Sequence, residues 1–229
     1  TGFLGKLMRL LGCTPTHKYV ADLSLMKDME YMLKKNKTSV LMYPEAGYSF
    51  DGCATTLPKK MGILMKRLGV PVVTVITQGA FHRDPLYNML QIRDVKVSAH
   101  VKCIATAEEV KEKSVDELDA LLAESFSFDN FAWQRDNRIS IDVPFRADGL
   151  HRILYKCPKC GAENRMEGKG IQLTCHACEK QWTMDEYGQL SANVGVTEYP
   201  HIPDWYRWQR ECVRKELEEG TYCLDTDVD

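Results

Sequence analysis

Apolar positions recur at helical spacing near the start of the chain, then as short continuous runs, then at helical spacing again. Phe3, Leu4, Leu7, Met8 and Leu11 mark a helix that Gly12 closes. A second helix is expected from about Leu23 to Lys35, with Met26, Met29 and Leu33 on one side and Asn36 as its stop. The run SVLMY, Ser39–Tyr43, reads as a buried strand. Pro58 to Leu68 reads as a helix with Pro58 in its first turn and Gly69 at its end. PVVTVIT, Pro71–Thr77, is a continuous apolar strand of the kind buried on both faces. Strand, helix and strand joined by short loops predict a parallel β-α-β unit of a layered α/β domain, whose site lies at the carboxyl ends of its strands. The turn after Tyr43 is one such end.

Farther on, RDVKVSAHV alternates Val95, Val97, Ala99 and Val101 with polar neighbours, as a half-exposed edge strand does. Thr106 with Glu109 and Ser114 with Glu117 each fit a capping box, and VDELDALLAESF completes a helix. Periodicity fades over 127–149, which reads as a connection between domains. A second unit is expected over 150–192, then a helix within 193–229 whose end, TYCLDTDVD, alternates like the start of a further strand. Both ends read as interior points of a longer chain.

Composition narrows the partners. The 229 residues are 44% hydrophobic, enough for a core, and 30 Lys and Arg stand against 32 Asp and Glu. That balance gives no overall basic field for nucleic acid, so an anion site must be local. No apolar run approaches the roughly 20 residues of a membrane span. The reading is a cytoplasmic protein, soluble or peripheral to a membrane. Of nine cysteines, Cys13, Cys53, Cys103, Cys212 and Cys223 form no framework, consistent with a reducing compartment.

The other four make the strongest local signal. Cys157 and Cys160 form one CxxC pair, Cys175 and Cys178 another, and residues 161–174 lie between. Two such knuckles can aim four sulfurs at one tetrahedral Zn²⁺, a zinc ribbon whose strands RILYK and IQLT would supply. Two disulfides or a redox CxxC fit less well, since a redox motif occurs once and a secreted framework would recruit the remaining cysteines. His176, inside the second knuckle, is expected on the surface. The mixed charges around the knuckles do not favour a phosphate backbone. In IPDWYRWQRECVRKEL, Trp205, Trp208 and Cys212 share one side, expected to pack on the ribbon, with a lipid interface as the alternative.

LMYPEAGYS and, later, GVPVVTVITQGAF resemble the third and fourth motifs of glycerolipid acyltransferases of the lysophosphatidic-acid acyltransferase (PlsC-like) kind. GFLGKLMRLLGCTPTHK is similar to the segment joining that family's first two motifs. The resemblance spans about residues 1–105, and with the ribbon and HIPDWYRWQR the chain resembles the zinc-ribbon-bearing bacterial branch. It implies an α/β fold: the later part of an acyltransferase layered domain over 1–126, followed by the ribbon and a C-terminal helix. It implies transfer of a fatty acyl group from acyl-CoA or acyl carrier protein to a lysophospholipid hydroxyl, at the inner face of a membrane, with structural Zn²⁺ and no nucleic acid.

In that family a His-x4-Asp pair takes the hydroxyl proton, and the resemblance places it before Thr1. Glu45 matches the glutamate that positions the acceptor. Gly-Thr-Arg of the family is Ala46-Gly47-Tyr48 here, so the acceptor-gripping arginine has no counterpart at that place; Lys18 and Lys59 or Lys60 would supply the charge. His17 and Asp22 carry the His-x4-Asp spacing but stand at the second motif, and are read as a chance match. His82, Arg83 and Asp84 are expected in a loop turn, and His100 on an exposed face. His151 and His201 group with no base or metal. The rival is a degenerate acyltransferase fold whose ribbon binds protein or nucleic acid.

Overall fold

The computed structural model of the chain describes residues 3–14, 23–45 and 47–223. The elements in order are α1 (Phe3–Leu10), α2 (Leu23–Glu30), a π-helical turn (Tyr31–Lys35), α3 (Met61–Leu68), β1 (Val72–Gln78), α4 (Ala80–Arg83), β2 (Ser98–Ala105), α5 (Ala107–Glu112), α6 (Val115–Ser125), α7 (Asn130–Asp136), β3 (Met166–Lys169), β4 (Gln172–Cys175), β5 (Gln181–Met184), β6 (Leu190–Ala192) and α8 (Ile202–Glu219). The fold is mixed α/β with two sheets, β1-β2 and β3-β4-β5-β6. The chain forms two compact units that interleave in sequence: Thr1–Tyr48, Thr55–Thr74 and Lys102–Ser125 make the first, and Ser49–Ala54, Val75–Val101 and Phe126–Asp229 the second.

In the first unit, Met65 and Leu68 of α3, Val110 of α5, and Leu118 and Leu122 of α6 are buried, as are Met29, Ile104 and Ala105. Gly62 sits where α3 meets α6, and a Cβ there would strike the Val115 carbonyl oxygen. Asp119 Oδ1 of α6 accepts the Gly62 N–H at 2.6 Å, so a side chain from another helix satisfies one of the orphan donors that every helix start leaves. Both expected capping boxes form: Glu109 N–H reaches Thr106 Oγ1 at 3.2 Å while Thr106 N–H reaches Glu109 Oε2 at 2.8 Å, and Ser114 and Glu117 repeat the exchange.

Four expectations for this stretch change. Ser39–Tyr43 forms no strand, and Leu41 and Tyr43 are exposed. An apolar run becomes a strand only where a neighbour pairs with its N–H and C=O groups, and no described residue pairs with it. The parallel β-α-β unit is therefore not formed among the described residues. α3 begins at Met61, three residues after Pro58, because Lys60 takes a left-handed backbone (φ 60°) that helical hydrogen bonding cannot cross. β1 is not buried on both faces: Val73 and Val75 are half exposed, and Thr74 is turned inward to accept from Ser125 Oγ at 2.8 Å.

The second unit is built on the ribbon. β3 and β4 pair antiparallel with Met166 opposite Cys175, β4 and β5 with Leu173 opposite Trp182, and β5 and β6 with Met184 opposite Leu190. Period-two alternation turns Met166, Leu173, Trp182 and Leu190 into one core with Phe131, Leu150, Leu154, Ile202 and Trp205. RILYK before the first knuckle is not a strand: a helical turn ends at its Arg152, Lys156 makes an isolated bridge to Glu163, and Ile153 and Leu154 are buried in that core. Residues 127–149 are no bare connection. They include α7, bury Phe131 and Ala147, and bond to the ribbon through Ala147 N–H to Gly170 O (2.8 Å) and Ile141 N–H to Glu186 O (2.8 Å). Asp129 N-caps α7 by accepting the Ala132 N–H at 2.9 Å.

α8 packs as expected, not as a free aromatic face. Trp205 meets Trp182 edge to face at 4.9 Å between centroids, and its Nε1–H donates to Lys156 O at 3.0 Å. Trp208 stacks on Tyr199. Buried Gln209 accepts the Lys156 N–H (3.0 Å) and donates to Ile153 O (2.8 Å). Residues 221–223 form no strand, and the rest of TYCLDTDVD lies outside the described residues. Among the described residues no helix is long and apolar enough to cross a membrane.

Candidate metal centre and the Glu45 turn

Two knuckles of the same construction bring the four cysteines together. In each, the residue after the second cysteine donates its N–H to the first cysteine's carbonyl: Gly161 to Cys157 at 2.9 Å, Glu179 to Cys175 at 2.8 Å. Each first cysteine in turn donates its own N–H onward, Cys157 to Ala162 O and Cys175 to Lys180 O, both at 2.9 Å. The turn demands a left-handed residue after the second cysteine, filled by Gly161 (φ 73°) in one knuckle and by Glu179 (φ 59°) in the other.

The sulfurs of Cys157, Cys160, Cys175 and Cys178 all lie within 4.8 Å of one another. Cys157 Sγ to Cys178 Sγ is 3.8 Å and Cys160 Sγ to Cys175 Sγ is 3.8 Å. A tetrahedron with metal–sulfur bonds of about 2.3 Å has edges of about 3.8 Å, so the cage fits a four-coordinate, thiolate-bound ion. Backbone N–H groups of Lys159 and Cys160 point at Cys157, that of Ala162 at Cys160, and that of Lys180 at Cys178. Such donors spread thiolate charge and orient the ligands. Burial pushes the Cys157 and Cys178 thiols up, while the Ala162 N–H draws Cys160 down. Four closed ligands leave no open position, as in a structural rather than a catalytic site.

Outside the cage, His176 is exposed as expected and pairs with Glu167 at 2.9 Å. His82 is not in a loop turn: it lies in α4. It is fully buried among Phe81, Phe131 and Trp133, with its Nε2 2.8 Å from Asn130 O, and burial pushes its pKa down to about 4. Arg83 and Asp84 are exposed. His100 is exposed and bonds Gln78 at 2.8 Å; His151 Nδ1 accepts the Gly168 N–H at 3.0 Å.

His201 was expected to stand alone. Its Nε2 instead lies 2.7 Å from Asp129 Oδ2, and the same carboxylate is hydrogen-bonded by Cys53. Burial raises Asp129, yet the bonds from His201 and Ala132 more than offset it and hold its pKa low. The carboxylate stands between thiol and imidazole, the wrong order for a nucleophile activated by histidine, and burial drives the Cys53 thiol far up. This cluster is a structural clamp. No sequence spacing joins positions 129 and 201, which is why sequence reading missed it.

In the first unit, Glu45 lies in a turn after Pro44 and is half-buried. Thr55 fastens one oxygen: its N–H donates to Glu45 Oε2 at 2.8 Å and its Oγ1–H to the same atom at 2.7 Å. Among the described residues, Oε1 has no hydrogen-bond partner and Glu45 forms no ion pair. Thr55 is a holder that sequence did not signal, ten residues away and without a motif. Gly47 and Tyr48 are exposed, as is Lys60. Lys18, His17 and Asp22 lie outside the described residues. Neither family models, curated proteins nor solved structures give a match to the chain.

Proposed function

We propose that the chain belongs to a glycerolipid acyltransferase of the lysophosphatidic-acid type, acting in phospholipid biosynthesis at a membrane surface, with a zinc ion in the four-cysteine cage. A fatty acyl group moves from the thioester of acyl-CoA or acyl carrier protein to a lysophospholipid hydroxyl. The observation that carries the reading is Glu45: a carboxylate at the motif position, steadied through Oε2 by Thr55, whose Oε1 has no partner among the described residues and so can accept a hydrogen bond from an acceptor hydroxyl. Half-burial strengthens such a bond, and fixing one oxygen reduces the entropy lost on binding. Lys18 and Lys60 are the candidates for attracting an acceptor phosphate, as point charges. Cys157, Cys160, Cys175 and Cys178 would hold Zn²⁺, which supplies folding energy rather than chemistry.

The test is acyl transfer by the intact gene product from acyl thioesters to a lysophospholipid series. Glu45→Gln is expected to lower kcat/KM by about 10²-fold, and Thr55→Val, which removes the Oγ1–H donor and keeps the backbone N–H, by up to about tenfold, both with metal content unchanged. Full turnover in Glu45→Gln sinks the reading. One observation favours a second reading, a degenerate acyltransferase fold whose ribbon binds protein or nucleic acid: Ala46-Gly47-Tyr48 stands where the family carries Gly-Thr-Arg. No transfer to any lysolipid, together with retained partner binding by the ribbon, would establish that alternative.

A further inference from the structure

Helix α1 has no counterpart in the chemistry above. At 100° per residue, Phe3, Leu4, Leu7, Met8, Leu10 and Leu11 fall within an arc of about 160°, and the remaining arc holds Gly5, Lys6, Arg9 and Gly12. The segregation is complete, and neither arc carries an acidic residue. Amphipathic helices normally hide the apolar arc, yet no residue of α1 is buried; Phe3 is 83% exposed, Leu4 69% and Leu10 84%.

The helix also ends by itself. Gly12 takes φ 82°, its N–H reaches Arg9 O at 3.0 Å, and the Cys13 N–H reaches Met8 O at 2.9 Å. These two bonds close the last turn with no help from another element. α1 is thus a stop-capped helix whose apolar side is left exposed among the described residues. Eight residues span about 12 Å, far too short to cross a bilayer and suited to lying in its surface.

We infer that α1 is a lipid-surface anchor that lies in the headgroup layer of an anionic membrane, with Phe3, Leu4, Leu7 and Leu10 toward the acyl chains and Lys6 and Arg9 toward the phosphates. Charge decides the occupant: a wholly basic polar arc beside a wholly apolar one complements negative headgroups above hydrocarbon. A groove in a second copy of this chain, which carries a slight net negative charge, would offer the cations no concentrated opposite field. The inference gives the membrane contact of the proposed function a place on the chain, and in that sense rests on it.

The experiment measures co-sedimentation of the chain with vesicles of roughly one-third phosphatidylglycerol in phosphatidylcholine, against phosphatidylcholine alone. Binding to the anionic vesicles that weakens with salt is expected. Leu4→Gln/Leu7→Gln should lower it at least tenfold. Lys6→Gln/Arg9→Gln should lower it about thirtyfold, from about 1 kcal/mol per cation, while leaving the weak binding to neutral vesicles. All four positions are exposed, so circular dichroism and metal content should not change. No vesicle binding, or binding unaltered in both variants, overturns the inference. So does a dimer in light scattering that Leu4→Gln/Leu7→Gln converts to monomer without any effect on vesicles. Acyl transfer is read separately, on lysolipid below its micelle concentration. Vesicle binding without transfer refutes the activity alone, and transfer without vesicle binding refutes the anchor alone.

Discussion

His82 shows how one side chain sets a response to acid. In the folded chain its pKa is pushed down to about 4, against an ordinary 6.5, because burial disfavours the imidazolium. The unfolded chain therefore binds the proton more readily anywhere between these values. The stability this creates is complete above pH about 6.5 and is lost as pH falls toward 4. From pH 7 to 5 the loss from this group is about 2 kcal/mol. His82→Gln keeps an N–H for Asn130 O but does not titrate, so its urea midpoint should fall less over that interval; an equal fall would assign the acid sensitivity elsewhere. The knuckles offer a second comparison. A Cβ on Gly161 meets nothing within 4 Å, so Gly161→Ala tests backbone strain alone and should cost about 1 kcal/mol, while Glu179→Gly should gain up to about that much. Denaturation of the metal-bound chain measures both. The sequence displayed the four cysteines because their spacing is local, and it pointed to Glu45 only through the resemblance of the turn around it. It hid Thr55, Asp129 and the burial of His82, because those depend on which distant segments meet.

At the scale of elements, helices whose ends are coded by neighbours were legible, and strands only in part: PVVTVIT and IQLT form β1 and β4, while SVLMY and RILYK form none. Capping boxes at Thr106 and Ser114 and glycine stops at Gly12 and Gly69 act within a turn, so the sequence states them. Strands depend on a partner: SVLMY has the composition and lacks the pairing, whereas IQLT, in an equally short run, pairs on both sides as β4. The start of α3 shows a mixed case, since Pro58 favours a first turn but Asp119 of α6 supplies the cap. The α3–α6 contact predicts that Gly62→Ala destabilises by about 1–3 kcal/mol despite the better helix propensity of alanine, since its Cβ would push against the Val115 carbonyl. Asp119→Ala should cost about 1 kcal/mol through the lost cap. Thermal melts of both variants check the order; Gly62→Ala as stable as the parent would mean that α6 can shift away.

For the whole molecule, the cage is the centre of one unit only. Cys157 and Cys175 are fully buried members of the core that holds Trp182 and Trp205. Chelation should therefore release the ribbon and with it α8, whose Gln209 and Trp205 hold Lys156 at the entry to the first knuckle. Hydrogen exchange is expected to quicken in β3–β6 and α8 before it does in α3, α5 and α6, which contain no ligand. Uniform quickening everywhere would mean that the units unfold as one.

The interleaving of the two units bears on how the chain is made. A ribosome delivers residues in order, and the first unit cannot close until Ser125 has emerged, after the Val75–Val101 stretch of the other unit is already out. That stretch must wait, unfinished, until the cysteines and α8 arrive. The nascent chain thus carries exposed apolar segments until α8 has emerged, and expression in metal-starved cells should favour aggregates over a cleanly folded first unit.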